Sequence, residues 1–179
     1  MSTELWLACI GYLVWLLAGT ADFLCHWRTD LPHTSGVAES TTHLVELALL
    51  GAAVVAWLVF DITALTVMLM FALVIAHAVV GYIDTRIAFA RRRVILPVEQ
   101  HVHSVLDMAP IVALVWVVVS SWPAAIDGDW ELRLRAPALP FAAWAVALLP
   151  PVVLCIVPAV GEFSVAWRTR RFVASDRVR

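Results

Sequence analysis

Five stretches of this chain, at about 4–26, 40–60, 62–84, 99–121 and 138–161, are long and apolar enough to cross a bilayer as helices, a crossing that takes roughly 17–25 residues. In hydrocarbon a spanning segment must satisfy its own backbone polar groups, and segments of this length do so as α-helices. Composition agrees. The chain is 63% apolar and 15% charged, with a mean hydropathy of +0.90, whereas soluble domains are about 45–50% apolar and about 25% charged. A water-soluble fold of 179 residues has too little interior to hide that apolar surface. The expected fold class is all-α integral membrane, a polytopic bundle of about five transmembrane helices. One membrane domain covers 1–179, with an outer loop at 122–137 and a tail at 162–179.

Local punctuation refines these spans. Asp61 marks the tight turn between the second and third, because the apolar run continues on both sides of it. Pro97 suits the first turn of the fourth helix, and Pro110 should kink that helix and free the carbonyl of Leu106. Pro140, Pro150, Pro151 and Pro158 predict a bent fifth span. Residues 5–19 have the outline of a signal peptide, but the Met-Ser-Thr-Glu start lacks the basic region such a peptide carries, so this stretch reads as a retained helix.

Arginine sets the orientation. Ten of the twelve (Arg28, Arg86, Arg91 to Arg93, Arg168, Arg170, Arg171, Arg177 and Arg179) fall at one end of the spans, and Arg133 and Arg135 at the other. The Arg-rich end is expected to be cytoplasmic, with the N-terminus outside and the C-terminus inside a bacterial inner membrane. Trp6, Trp57, Trp122 and Trp144 then fall near the outer interface, and Trp27 and Trp167 near the inner one. The net charge of −2 gives no electrostatic footprint for nucleic acid. Cys9, Cys25 and Cys155 are far apart and form neither a disulfide framework nor a thiolate zinc motif.

With this topology, polar residues scattered in sequence fall at one depth. The first span ends in Asp22-x-x-x-His26, and the second begins with Glu39-x-x-x-His43-x-x-Glu46. The third ends with His77 and Asp84, and the fourth begins with Glu99-x-x-x-His103-x-x-x-Asp107. Residues four apart on a helix are about 40° apart around the axis, and seven apart about 20°, so each set lies on one face. A charged side chain within a span costs roughly 2.5–3.5 kcal/mol on insertion scales, and such residues are usually functional. Glu46, His77 and Asp107 lie several residues inside their spans with no arginine adjacent in sequence. These ten residues form the expected metal ligand set, with four helices supplying the core. Glu39 and Glu99 also sit in first helical turns, where any acid is stabilised by the helix dipole. His33, His101 and Glu162 are weaker candidates: a solvated loop residue, a side chain rotated away from His103, and an interfacial acid. The 60-residue spacing of Glu39/His43 and Glu99/His103 suggests two similar hairpins, spans 1–2 and spans 3–4.

Carboxylate plus imidazole without thiolate suits iron, manganese or zinc. The arrangement is similar in chemistry and architecture to the sites of di-iron four-helix bundles. It differs from the His-rich boxes of membrane desaturases and lacks the Glu-x-x-His repeat of ferritin-like proteins, so no family residues carry over. The expectation is two or more metal ions, iron first, activating dioxygen against a hydrophobic or lipid-borne substrate with electrons from a cytosolic donor. A zinc-dependent membrane hydrolase and a metal sensor or transporter are the alternatives. The small and proline residues of the fifth span offer a homodimer contact.

Overall fold

The computed structural model describes residues 3–127 and 130–176. Those residues fold into helices α1 (Thr3–Arg28), α2 (Val37–Val59), α3 (Ala64–Ala90), α4 (Pro97–Asp127), α5 (Phe141–Pro151) and α6 (Val157–Asp176). Five helical segments are long and apolar enough to cross a membrane: Trp6–Arg28, Val37–Val59, Ala64–Ala90, Pro97–Pro123 and Phe141–Arg170. The last joins α5 to α6 through a π-turn at Val152–Ile156. The distribution of side chains is that of an integral membrane protein. Leu13, Leu17, Phe71, Ile75, Val115 and Val119 face outward, while the buried residues include as many polar or charged side chains as apolar ones. A soluble domain has the opposite arrangement.

The helices close into a ring in the order α1, α4, α3, α2, α6, with α6 returning to α1. This corrects the expected pairing of spans 1 and 2, while spans 3 and 4 pack as neighbours. Near the connection from α1 to α2, α6 stands between those helices and packs on the single turn Leu31–His33. Gly36 permits the connection: its φ of 55° and ψ of −132° suit only glycine, and a Cβ would lie 3.2 Å from the Pro32 carbonyl oxygen. The fourth and fifth helices also outrun their expected limits. α4 continues to Asp127 through Pro123, and α6 continues to Asp176, so Glu162 lies within a helix rather than opening a tail.

The proline-rich fifth span is held by side chains of α1. Pro151 has no N–H for the Ala147 carbonyl, and the Tyr12 hydroxyl donates to that oxygen at 2.6 Å. Pro158 likewise leaves the Leu154 carbonyl, which accepts from the Thr20 hydroxyl at 3.0 Å. Each proline therefore creates an acceptor that a neighbouring helix fills, as burial away from water requires. At the opposite end, residues 130–140 fold over the α2–α3 turn. Asp61 and Arg135 donate backbone N–H groups to the Arg133 and Val59 carbonyls, and the Arg135 side chain donates to the Trp57 and Phe60 carbonyls.

Candidate metal centre

The ring gathers acids and imidazoles at the Arg-rich end of the molecule. Asp22 and His26 come from the last turns of α1, Glu39 and His43 from the first turns of α2, Asp84 from α3, and Glu99 and His103 from α4. His26, Glu39 and Glu99 are completely buried, Asp22, His43 and Asp84 nearly so, and His103 is half-buried. Among the described residues three compact groups result, within each of which candidate ligand atoms lie within 4.8 Å of one another: Asp22/His26/Glu99/His103, His26/His43/Glu162 and Glu39/His43/Asp84.

Glu162 organises the imidazoles. Its Oε2 accepts from Nδ1 of His26 at 2.7 Å and its Oε1 from Nδ1 of His43 at 2.9 Å. A carboxylate only accepts, so both rings carry a proton on Nδ1 and, when neutral, a lone pair on Nε2. The rings stack, with centroids 4.6 Å apart and planes within 7°. Both Nε2 atoms are buried without a hydrogen-bond partner. Nε2 of His26 lies 3.3 Å from Asp22 Oδ2, 3.8 Å from Glu99 Oε1 and 4.0 Å from Glu39 Oε1. Nε2 of His43 lies 3.4 Å from Asp84 Oδ1. Charge-assisted hydrogen bonds are shorter, about 2.7–2.9 Å. Two ligands about 2.0–2.1 Å from one tetrahedral ion stand roughly 3.4 Å apart. His103 Nε2 makes a closer approach, 2.9 Å from Asp22 Oδ1, and Thr42 donates to Asp84.

Arg93 organises the acids. Its Nε donates to Glu39 Oε2 at 3.1 Å, its Nη1 to Thr29 at 2.9 Å and its Nη2 to Glu99 Oε1 at 2.5 Å. The end of α3 aims it inward: Arg92 adopts a φ of 56°, and the Arg93 N–H returns to the Ala88 carbonyl. That is a Schellman turn with arginine where glycine is usual, a conformation an L-residue enters at a cost of roughly 1–2 kcal/mol. Burial opposes the Arg93 charge, but its hydrogen bonds to Glu99 and Glu39 and their charges outweigh it and raise its pKa. Glu99 also accepts from the Leu96 N–H at 3.4 Å, half of a capping box at the start of α4.

Three of the ten candidates stand apart. Glu46, His77 and Asp107 belong to none of the compact groups. Glu46 and Asp107 approach Gly81 from α2 and α4, where a Cβ would lie 3.2 Å and 3.4 Å from their oxygens. His77 is buried with both ring nitrogens unpartnered, near the Leu106 carbonyl that Pro110 cannot engage. It lines a cavity of about 150 Å³. Asp107 is exposed. His33 and His101 lie outside the cluster; their Nδ1 atoms are bound locally, by Asp30 at 2.6 Å and the Pro97 carbonyl at 2.8 Å.

Sequence reasoning gave Glu162 too little weight and missed Arg93. Glu162 carried the same signal as the other acids, an ionisable residue at the Arg-rich end of a span, but had no histidine at helical spacing beside it. Arg93 is the last of three consecutive arginines, and only the turn at Arg92 distinguishes it from its neighbours. No protein-family model, curated protein or solved structure matches the chain.

Proposed function

We propose that the chain is an integral membrane metalloprotein whose Arg-rich cytoplasmic end holds two or more metal ions, iron first among them. On this reading it activates dioxygen against a hydrophobic or lipid-borne substrate. The observation that carries the metal reading is the pair of buried, bare Nε2 atoms of His26 and His43, set by one carboxylate and facing further carboxylates. Metal-bound histidines characteristically donate their other N–H in this way.

Charge points the same way. Asp22, Glu39, Asp84, Glu99 and Glu162 are buried, and among the described residues the one buried guanidinium, that of Arg93, pairs with Glu39 and Glu99. The excess negative charge calls for cations. A divalent ion held among several of these carboxylates would supply that charge. Asp22, His26, Glu99 and His103 form one ligand set, and His43 with Asp84 the beginning of another. Glu39, held by Arg93, lies near both sets.

The redox assignment rests on ligand chemistry. Carboxylates that shift between bridging and terminal binding accommodate changes in iron oxidation state, and the number of donors exceeds the three protein ligands plus water of a catalytic zinc. Electrons would come from a cytosolic donor. Metal identity in protein prepared without affinity-metal columns tests this reading. Two irons per chain with an oxygen-sensitive absorption band are expected; stoichiometric zinc without iron would move the assignment to a hydrolase, whose metal activates water.

A further inference from the structure

Three consecutive arginines leave the end of α3, and they are not alike. Arg93 turns inward, where Glu39 and Glu99 neutralise it. Arg91 and Arg92 are exposed, and among the described residues their side chains make no hydrogen bond or ion pair. Arg92 lines a surface pocket with Phe89, Ala90, Arg93 and Ile95, and Phe89 is 82% exposed there. The backbone gives no reason for arginine at this position. With a φ of 56°, Arg92 holds a conformation that glycine enters freely and an L-residue only at a cost. Glycine would make the same turn and aim Arg93 equally well. A charged side chain standing where the backbone favours none is an outlier that points to a role for the side chain itself.

The surface leading to this pocket is apolar. Met68, Phe71, Ile75, Val79 and Tyr82 are all exposed and recur at helical spacing, so one face of α3 runs the length of the span and continues to Phe89. Arg86 lies on the same face, with its guanidinium carbon 5.9 Å from the centre of the Tyr82 ring. We infer that this end of α3 binds an anionic phospholipid, with its phosphate at Arg92 and an acyl chain along the face of Phe89, Tyr82 and Val79. The chemistry selects that partner. A guanidinium matches a phosphate with two parallel hydrogen bonds, and arginines at the end of a span attract anionic headgroups. A soluble anion would meet the arginines and leave Phe89 in water. A zwitterionic lipid would cover Phe89 but bring another positive charge to the arginines. The site is separate from the carboxylate and histidine cluster and requires no metal.

Arg92→Gly provides the test, because it should move two measurements in opposite directions. The full chain would be placed in nanodiscs of phosphatidylcholine alone and of equal parts phosphatidylcholine and phosphatidylglycerol. Native mass spectrometry would identify the lipids retained on release, and thermal unfolding would be followed in both. The unaltered chain should retain phosphatidylglycerol in preference to phosphatidylcholine and melt higher in the mixed nanodiscs. In pure phosphatidylcholine Arg92→Gly should melt higher than the unaltered chain, since the backbone is relieved and no anionic lipid is lost. In the mixed nanodiscs it should bind phosphatidylglycerol about fivefold more weakly, the usual worth of one arginine beside an anionic surface. Arg92→Gln should lose the lipid without that gain in stability. Arg133→Gln, which removes the same charge at the opposite end of the spans, should retain it. The inference would be overturned by an unaltered chain indifferent to phosphatidylglycerol, by undiminished retention in Arg92→Gly and Arg92→Gln, or by a lower melting temperature of Arg92→Gly in pure phosphatidylcholine.

Discussion

A carboxylate that accepts from two Nδ1 atoms decides the tautomer of both rings at once, and Glu162 has this role for His26 and His43. Glu162→Gln makes the consequence measurable. The amide oxygen still accepts from one ring, but the amide nitrogen donates, so the other ring must move its proton to Nε2 and lose its ligand lone pair. Metal affinity should fall roughly 10–100-fold, the usual effect of losing such a supporting group, as read by chelator competition, with the helical circular dichroism unchanged. Arg93 answers to a different measurement. Arg93→Met leaves Glu39 and Glu99 buried without their partner, and breaking a buried pair costs roughly 3–5 kcal/mol. The expected result is a large loss of thermal stability, partly restored when Glu39→Gln and Glu99→Gln accompany it. At this scale the sequence was informative wherever acid and imidazole recur at helical spacing, as in Glu39/His43 and Glu99/His103. It was not informative for Glu162 and Arg93, whose partners lie on other helices and are fixed only by the order of the ring.

The elements follow from length and hydropathy, so α1 and α2 were legible nearly to their ends. Three boundaries were not. α3, α4 and α6 extend beyond their apolar runs because intrahelical hydrogen bonding needs no apolar side chains once a helix is under way. The bend of the fifth span was anticipated from its prolines, but the turn that results depends on contacts no local pattern encodes. Tyr12 fills the acceptor that Pro151 leaves, so the two residues should be energetically coupled. Tyr12→Phe is expected to cost about 0.5–1.5 kcal/mol, the net worth of one hydrogen bond. The cost should shrink in a Pro151→Ala background, where the residue 151 N–H can return to the Ala147 carbonyl. A double-mutant cycle on thermal unfolding in detergent checks this, and purely additive effects would contradict the coupling.

At the scale of the whole molecule, an apolar exterior encloses a polar interior at one end, and on the proposed function that interior holds cations. Protons compete with metal for every imidazole and carboxylate, so metal affinity should decline as pH falls. A titration that shows affinity rising toward acid would be incompatible with these ligands. The central claim meets its most direct test in metal content together with thermal stability, for the unaltered chain, His43→Ala and His33→Ala, all prepared without affinity-metal columns. A ligand held only by the folded state must stabilise it, by about 2.7 kcal/mol at a free concentration a hundredfold above its dissociation constant. Two or more ions per chain are expected, with a melting temperature that falls on chelation and recovers on adding iron, loss of both in His43→Ala, and little change in His33→Ala. A metal-free chain whose melting temperature is indifferent to iron, zinc and manganese would contradict it.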